Sequence, residues 1–193
     1  AMTASFLTDS LIPLVGLVRG TNSMLPEDIR ILGARDVPID FHARFTARGK
    51  SYIYQLSWDE FLAPHLRLYW ARFRPIVDLA AIGHCLGLLL GTHDFSTFEA
   101  AGSRNPEVSG RGAVRTLFAA TVEQVDSCRA VIEISGDGFL RHMVRNIVGT
   151  VVEVGQGRMS LDGFACAFHG RDRSKAGATA PPQGLFLKKV HYS

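Results

Sequence analysis

The sequence is poor in everything that would staple a chain or anchor it. Three cysteines stand among 193 residues, Cys85, Cys128 and Cys166; they are odd in number, far apart and form no C-x-x-C. This excludes a disulfide framework and points to buried thiols in a reducing cytoplasm. No apolar run approaches the ~20 residues of a membrane span. The N-terminal run from Leu11 to Val18 is broken by Pro13 and Gly16 and follows Asp9, which argues against a signal peptide. The seven histidines make no H-x-x-x-H and no cluster with cysteine, so no metal site is expected. A G-x-x-x-x-G-K-[ST] loop, a full G-x-G-x-x-G and a G-x-S-x-G elbow are all missing. Charge is sparse too. A net charge of +3, with 20% charged residues, suits a polyanionic partner and equally a balanced surface.

Apolar residues are plentiful, at 47%, enough for one globular domain or two small subdomains sharing a core. Ala4-Ser5-Phe6 reads as the tail of a strand. A helix is expected from Pro13 to Met24, capped by Asp9 or Ser10, then a short strand from Ile29 to Ala34. Phe41 to Leu56 reads as extended. Asp78 caps an apolar helix from Leu79 to Leu90. Residues 99–112, with Arg104 and Arg111, read as a mobile basic surface loop. Strands Arg115 to Val125 and Arg129 to Ser135 form a hairpin, Ser160 caps a helix from Leu161 to His169, and Gly184 to Tyr192 is a last strand. Strands interleaved with helices predict an α+β fold with an antiparallel or mixed sheet.

The stretch Gly136 to Gly149 is apolar and cationic at once. At helical spacing Leu140, Met143, Val144, Ile147, Val151 and Val154 make one apolar stripe. Arg141, His142 and Arg145 fall on the opposite face, Asp137 stands where an N-cap would, and Gly155 and Gly157 close the helix. An arginine rooted in so apolar a helix is costly to bury without a partner, be it carboxylate, phosphate or water. On a regular strand Arg44, Arg48, Lys50 and Tyr52 would share one face. That pattern suits a phosphate track beside a stacking ring, and equally a solvated face with a half-buried tyrosine.

Several separate motifs then carry a resemblance. They are Phe41-His42-Ala43-Arg44-Phe45, Asp94-Phe95, Phe139 to Gly149, Arg171-Asp172-Arg173, Thr179-Ala180-Pro181 and Gly184-Leu185-Phe186-Leu187. In this order and spacing the chain resembles the TruA family of tRNA pseudouridine synthases, from about Ala4 to the C-terminus. The resemblance implies the pseudouridine synthase fold of two tandem α/β plaits. Residues 1–75 would be the remainder of the N-terminal plait and 76–193 the C-terminal one. It implies a cytoplasmic homodimer that acts on tRNA without cofactor or metal. Uridine at positions 38 to 40 of the anticodon stem-loop is flipped out, its glycosidic bond is cut, the base turns, and C5 rejoins the sugar.

Carried over residue by residue, Arg145 matches the arginine that pairs with an essential aspartate. Tyr52 matches the tyrosine that stacks on the target base, and Leu185 the leucine on its other side. Arg44, Arg48, Lys50, Arg141 and His142 join them as substrate-binding groups. The family's aspartate sits in an R-T-D-x-G-V-H segment that these 193 residues do not contain; Thr8-Asp9 is a superficial echo. The expectation is a C-terminal portion with an incomplete first plait, inactive alone, with Arg145 unpaired and a sheet edge beside Phe6 covered by another molecule. The alternative is a catalytically silent RNA-binding module derived from the same fold.

Overall fold

Alternation decides the centre of the molecule. In the computed structural model, which describes residues 2–76, 78–100, 102 and 110–192, every second residue of strand β5 (Arg129–Gly136) is buried. Ala130, Ile132 and Ile134 point one way, and strands β1 (Gly49–Ser57) and β4 (Val114–Asp126) flank β5 antiparallel. β6 (Leu185–His191) pairs antiparallel with the other edge of β1, which the two-residue β2 (Ala71–Arg72) extends in parallel. β3 (Gly91–Asp94) closes the far side against β4. The result is a six-stranded mixed sheet in an α+β chain.

Helices α2 (Leu79–Leu88), α3 (Met143–Gly155) and α4 (Leu161–His169) supply the other half of the core. Ile82, Cys85 and Leu86 of α2, Met143, Ile147, Val148 and Val151 of α3, and Phe164 and Phe168 of α4 are all buried. Together with Tyr54, Leu56, Ile132 and Ile134 they form one hydrophobic cluster. Each large side chain there contributes about 1.5–3 kcal/mol of burial. The caps follow expectation: Asp78 Oδ1 accepts the Ala81 N–H at 2.7 Å, and Ser160 Oγ accepts that of Gly163 at 3.0 Å.

Two compact units divide the chain, one of residues 3–47 and one from Arg48 onward. In the larger unit β1 pairs with β5 over eight positions, from Lys50 opposite Gly136 to Ser57 opposite Arg129. In the smaller unit, helix α1 (Leu14–Met24) forms, but its N-cap is Pro13 and neither Asp9 nor Ser10 caps it. Residues 4–6 form no strand, so Phe6 marks no sheet edge. Nor do residues 29–34. There the Asn22 carboxamide accepts from Ile31 N at 2.8 Å and donates to Ile31 O at 2.9 Å, taking the place of a neighbouring strand. Arg104 and most of the 99–112 loop lie outside the described residues. Among the described residues no helix is long and apolar enough to cross a membrane.

Candidate functional site

Helix α3 begins later than its sequence suggests. Asp137 caps nothing: its carboxylate accepts the Thr116 N–H at 3.1 Å and the Arg111 guanidinium at 2.5 Å. These partners, on β4 and just before it, hold the carboxylate away from a helix end six residues on. His142 instead takes the left-handed conformation, φ 62°, and the first helical residue is Met143. Arg141 therefore lies outside the helix. It is exposed, and its carbonyl accepts the Ala100 N–H at 3.0 Å. The apolar stripe holds throughout, Leu140 to Val154.

Arg145, in the first turn of α3, is half-buried. Its Nε donates to the Ala180 carbonyl at 2.7 Å, and the Ala180 N–H returns a bond of 3.1 Å to the Arg145 carbonyl. Among the described residues no carboxylate pairs with Arg145, and its Nη groups make no hydrogen bond. The guanidinium thus commits one donor to the protein and keeps a fork of others.

From Ala180 the chain passes straight to Tyr54. The Tyr54 hydroxyl donates to the Pro181 carbonyl at 2.7 Å, and a Cβ on Gly184 would stand 2.8 Å from the same ring. Burial pushes the Tyr54 phenol well above its ordinary range, while the positive charge of Arg145 pulls the other way. Tyr54 faces Leu185 across β1 and β6, and Tyr52 faces Leu187. Tyr52 and Leu185 are therefore diagonal neighbours on one sheet face. Tyr52 is half-buried, its ring edge-on to Phe139 at 5.0 Å, and burial raises its phenol as well. The pairing of β1 with β6 shifts register between Ser51 and Tyr52. Ser51 Oγ pins that shift, 2.6 Å from Ser135 Oγ and 2.8 Å from His191 Nε2.

The expected basic strand face does not form. Arg44 sits in a turn, not on β1: His42 Nδ1 accepts the N–H groups of Arg44 and Phe45 at 3.1 and 3.3 Å, and Thr46 N–H bonds to His42 O at 2.9 Å. These local side-chain bonds compete successfully with extended backbone. The Arg44 guanidinium lies 5.6 Å from the Phe45 ring centroid. Arg48 is exposed and precedes β1, its N–H bonded to His191 O at 2.7 Å. Only Lys50 stands on the strand, two positions from Tyr52.

Sequence reasoning gave no separate place to Tyr54, Asn146 and Arg173, which the fold gathers near Arg145. The Tyr-x-Tyr spacing was the available signal for Tyr54, and a lone buried amide in an apolar helix was that for Asn146. Two surface concavities open along residues 58–75, one reaching Gln183 beside the Leu185 strand; neither is lined by Tyr52 or Arg145. Among the described residues no three His, Cys, Asp or Glu groups are placed to hold a metal.

A family model described as tRNA pseudouridine synthase matches residues 86–193. The chain is 46% identical over 192 residues to tRNA pseudouridine synthase A 1 of Desulfotalea psychrophila, covering 99% of this chain and 76% of that protein. It is 40% identical to tRNA pseudouridine synthase A of Ligilactobacillus salivarius, covering 92% of this chain and 68% of the relative. Against the synthase A of Acetivibrio thermocellus the identity is 40%, covering 98% and 75%.

Proposed function

The chain belongs to the tRNA pseudouridine synthase family, and we propose that it supplies the arginine-bearing side of a site that isomerises uridine to pseudouridine in the tRNA anticodon stem-loop, at positions 38 to 40. The observation that supports this reading is the placing of Tyr52 and Leu185 as diagonal neighbours, on the sheet face shared by Tyr54, whose phenol feels the charge of Arg145. A base flipped from its stack needs an apolar or aromatic sandwich, and Tyr52 and Leu185 are its two sides. An aspartate that starts the chemistry must stay ionised away from water, and the unused Nη donors of Arg145 are its counter-charge. The reaction moves one bond within one nucleotide, so no redox partner or group donor enters.

That aspartate comes from outside these 193 residues, which carry no R-T-D-x-G-V-H and place no acid on Arg145 among the described residues. Arg44, Arg48, Lys50, Arg141 and His142 meet RNA phosphates, and the working enzyme is a cytoplasmic homodimer. The plait boundary near residue 75 belongs to the same reading.

The test has two arms. The polypeptide alone, incubated with tRNA, forms no pseudouridine but binds with an affinity that falls steeply as salt rises. A chimera that places a relative's R-T-D-x-G-V-H segment ahead of this chain forms pseudouridine, and Arg145→Gln abolishes it. Product from the polypeptide alone overturns the missing acid. An inactive, folded chimera that still binds tRNA favours the silent RNA-binding module.

A further inference from the structure

We propose that Arg173 is a positioning residue for Arg145, acting through the irregular strap of residues 176–180. The strap has no helix or strand of its own. It lies along α3: Gly177 N–H donates to Thr150 Oγ1 at 3.0 Å, and Ala178 N–H to Glu153 Oε1 at 3.4 Å. The Ala178 carbonyl occupies the space a Cβ on Gly149 would need. The strap ends at Ala180, the residue that exchanges two hydrogen bonds with Arg145.

One side chain organises it. The Arg173 Nη1 donates to the carbonyls of Ala176 at 3.3 Å and Gly177 at 2.9 Å. Its Nη2 donates to Asn146 Oδ1 and Thr179 Oγ1, both at 3.2 Å. Asn146, 1% exposed, is next to Arg145 on α3. Its Oδ1 also accepts the Thr179 hydroxyl at 2.6 Å, and its Nδ2 donates to Phe98 O at 2.8 Å. Arg173 therefore ties the strap to itself and to the helix one residue from Arg145. The Ala180 carbonyl, to which Arg145 Nε is committed, is set by that tie. A planar fork can reach four acceptors at once; an ammonium cannot hold that arrangement.

The functional weight of this inference rests on the reading of Arg145 above, but its test reads the Arg145 side chain directly. In the nitrogen-15-labelled chain, the Arg145 Nε–H resonance is assigned by its loss in Arg145→Lys, and its hydrogen exchange is measured alongside the amides of β1 and β5. Arg173→Lys and Thr179→Val should speed Nε–H exchange by about tenfold or more, the loss of a charge-assisted bond. Thr179→Ser, which keeps the hydroxyl, should stay within about twofold of the parent, and the β1 and β5 amides should not change. Unchanged Nε–H exchange in both Arg173→Lys and Thr179→Val overturns the proposal. So does an equal loss of protection in the sheet, which makes Arg173 a residue of general stability. Loss of activity in the Arg145→Gln chimera tests the role of Arg145 separately.

Discussion

Arg145 and Ala180 hold each other by two hydrogen bonds, Nε to the Ala180 carbonyl at 2.7 Å and the Ala180 N–H back to the Arg145 carbonyl at 3.1 Å. One is charge-assisted and half-buried. Arg145→Gln should destabilise the chain by about 1–2 kcal/mol, measured by urea unfolding. It should also weaken binding of an anticodon stem-loop. A variant as stable as the parent would mean that the side chain is not held in solution as it is here.

Gly149→Ala should be among the most damaging single changes, costing about 3 kcal/mol or more, because the Ala178 carbonyl is backbone and cannot step aside. Gly87→Ala is the matched control. Gly87 lies in α2, and nothing stands within 4 Å of where its methyl would go, so the change should stabilise by about 0.5–1 kcal/mol. Urea midpoints of the two variants check both signs.

Alkali should weaken the fold through Cys85. Burial raises its thiol from 9.0 to about 11. The folded state therefore prefers the protonated thiol; the stability this provides is complete below pH 9.0 and is lost as pH rises toward 11. Thermal midpoints across that range should fall in the parent and fall less in Cys85→Ala. Tyr54, raised from 10.0 by burial, adds a loss in the same direction at higher pH.

Tyr52 offers a ring, and its hydroxyl makes no hydrogen bond among the described residues. Tyr52→Phe should leave stability within about 0.5 kcal/mol. Tyr52→Ala should cost about 1–3 kcal/mol in affinity for an anticodon stem-loop whose target base is free to flip, the range of a lost base stack. Equal affinities of the parent and Tyr52→Ala, measured by titration, would remove Tyr52 from the base-binding role.

Replacing Arg44, Arg48 and Lys50 should lower tRNA affinity and flatten its salt dependence. Each lost phosphate contact removes about 0.7–0.9 from the slope of log K against log salt. An unchanged slope would assign these groups to a solvated surface.

Much of the main unit was legible because its signals are local. The alternation of β5 and the spacing of the α3 stripe report which face is buried, whatever the partner. Asp78 and Ser160 bond to N–H groups three residues on, so caps can be read directly. The failures share one cause. Asp137 looked like a cap, but Thr116 and Arg111, distant in sequence, hold its carboxylate. Residues 29–34 looked like a strand, but the Asn22 amide satisfies Ile31. Arg44 looked like a strand residue, but the His42 ring folds it into a turn. A polar group that can bond in two places takes the better partner, distant in sequence for Asp137 and local for Ile31 and Arg44.

The sequence by itself determined an α+β chain with a mixed sheet, its buried faces and its family, because periodicity and motif spacing are properties of the linear chain. Only the tertiary structure decided what surrounds Arg145. It set Ala180 on its Nε, Tyr54 within reach of its charge and Arg173 behind the strap, through hydrogen bonds spanning 27 to 35 residues and more. Such bonds leave no periodic trace, since their partners meet only when the sheet and α3 have packed.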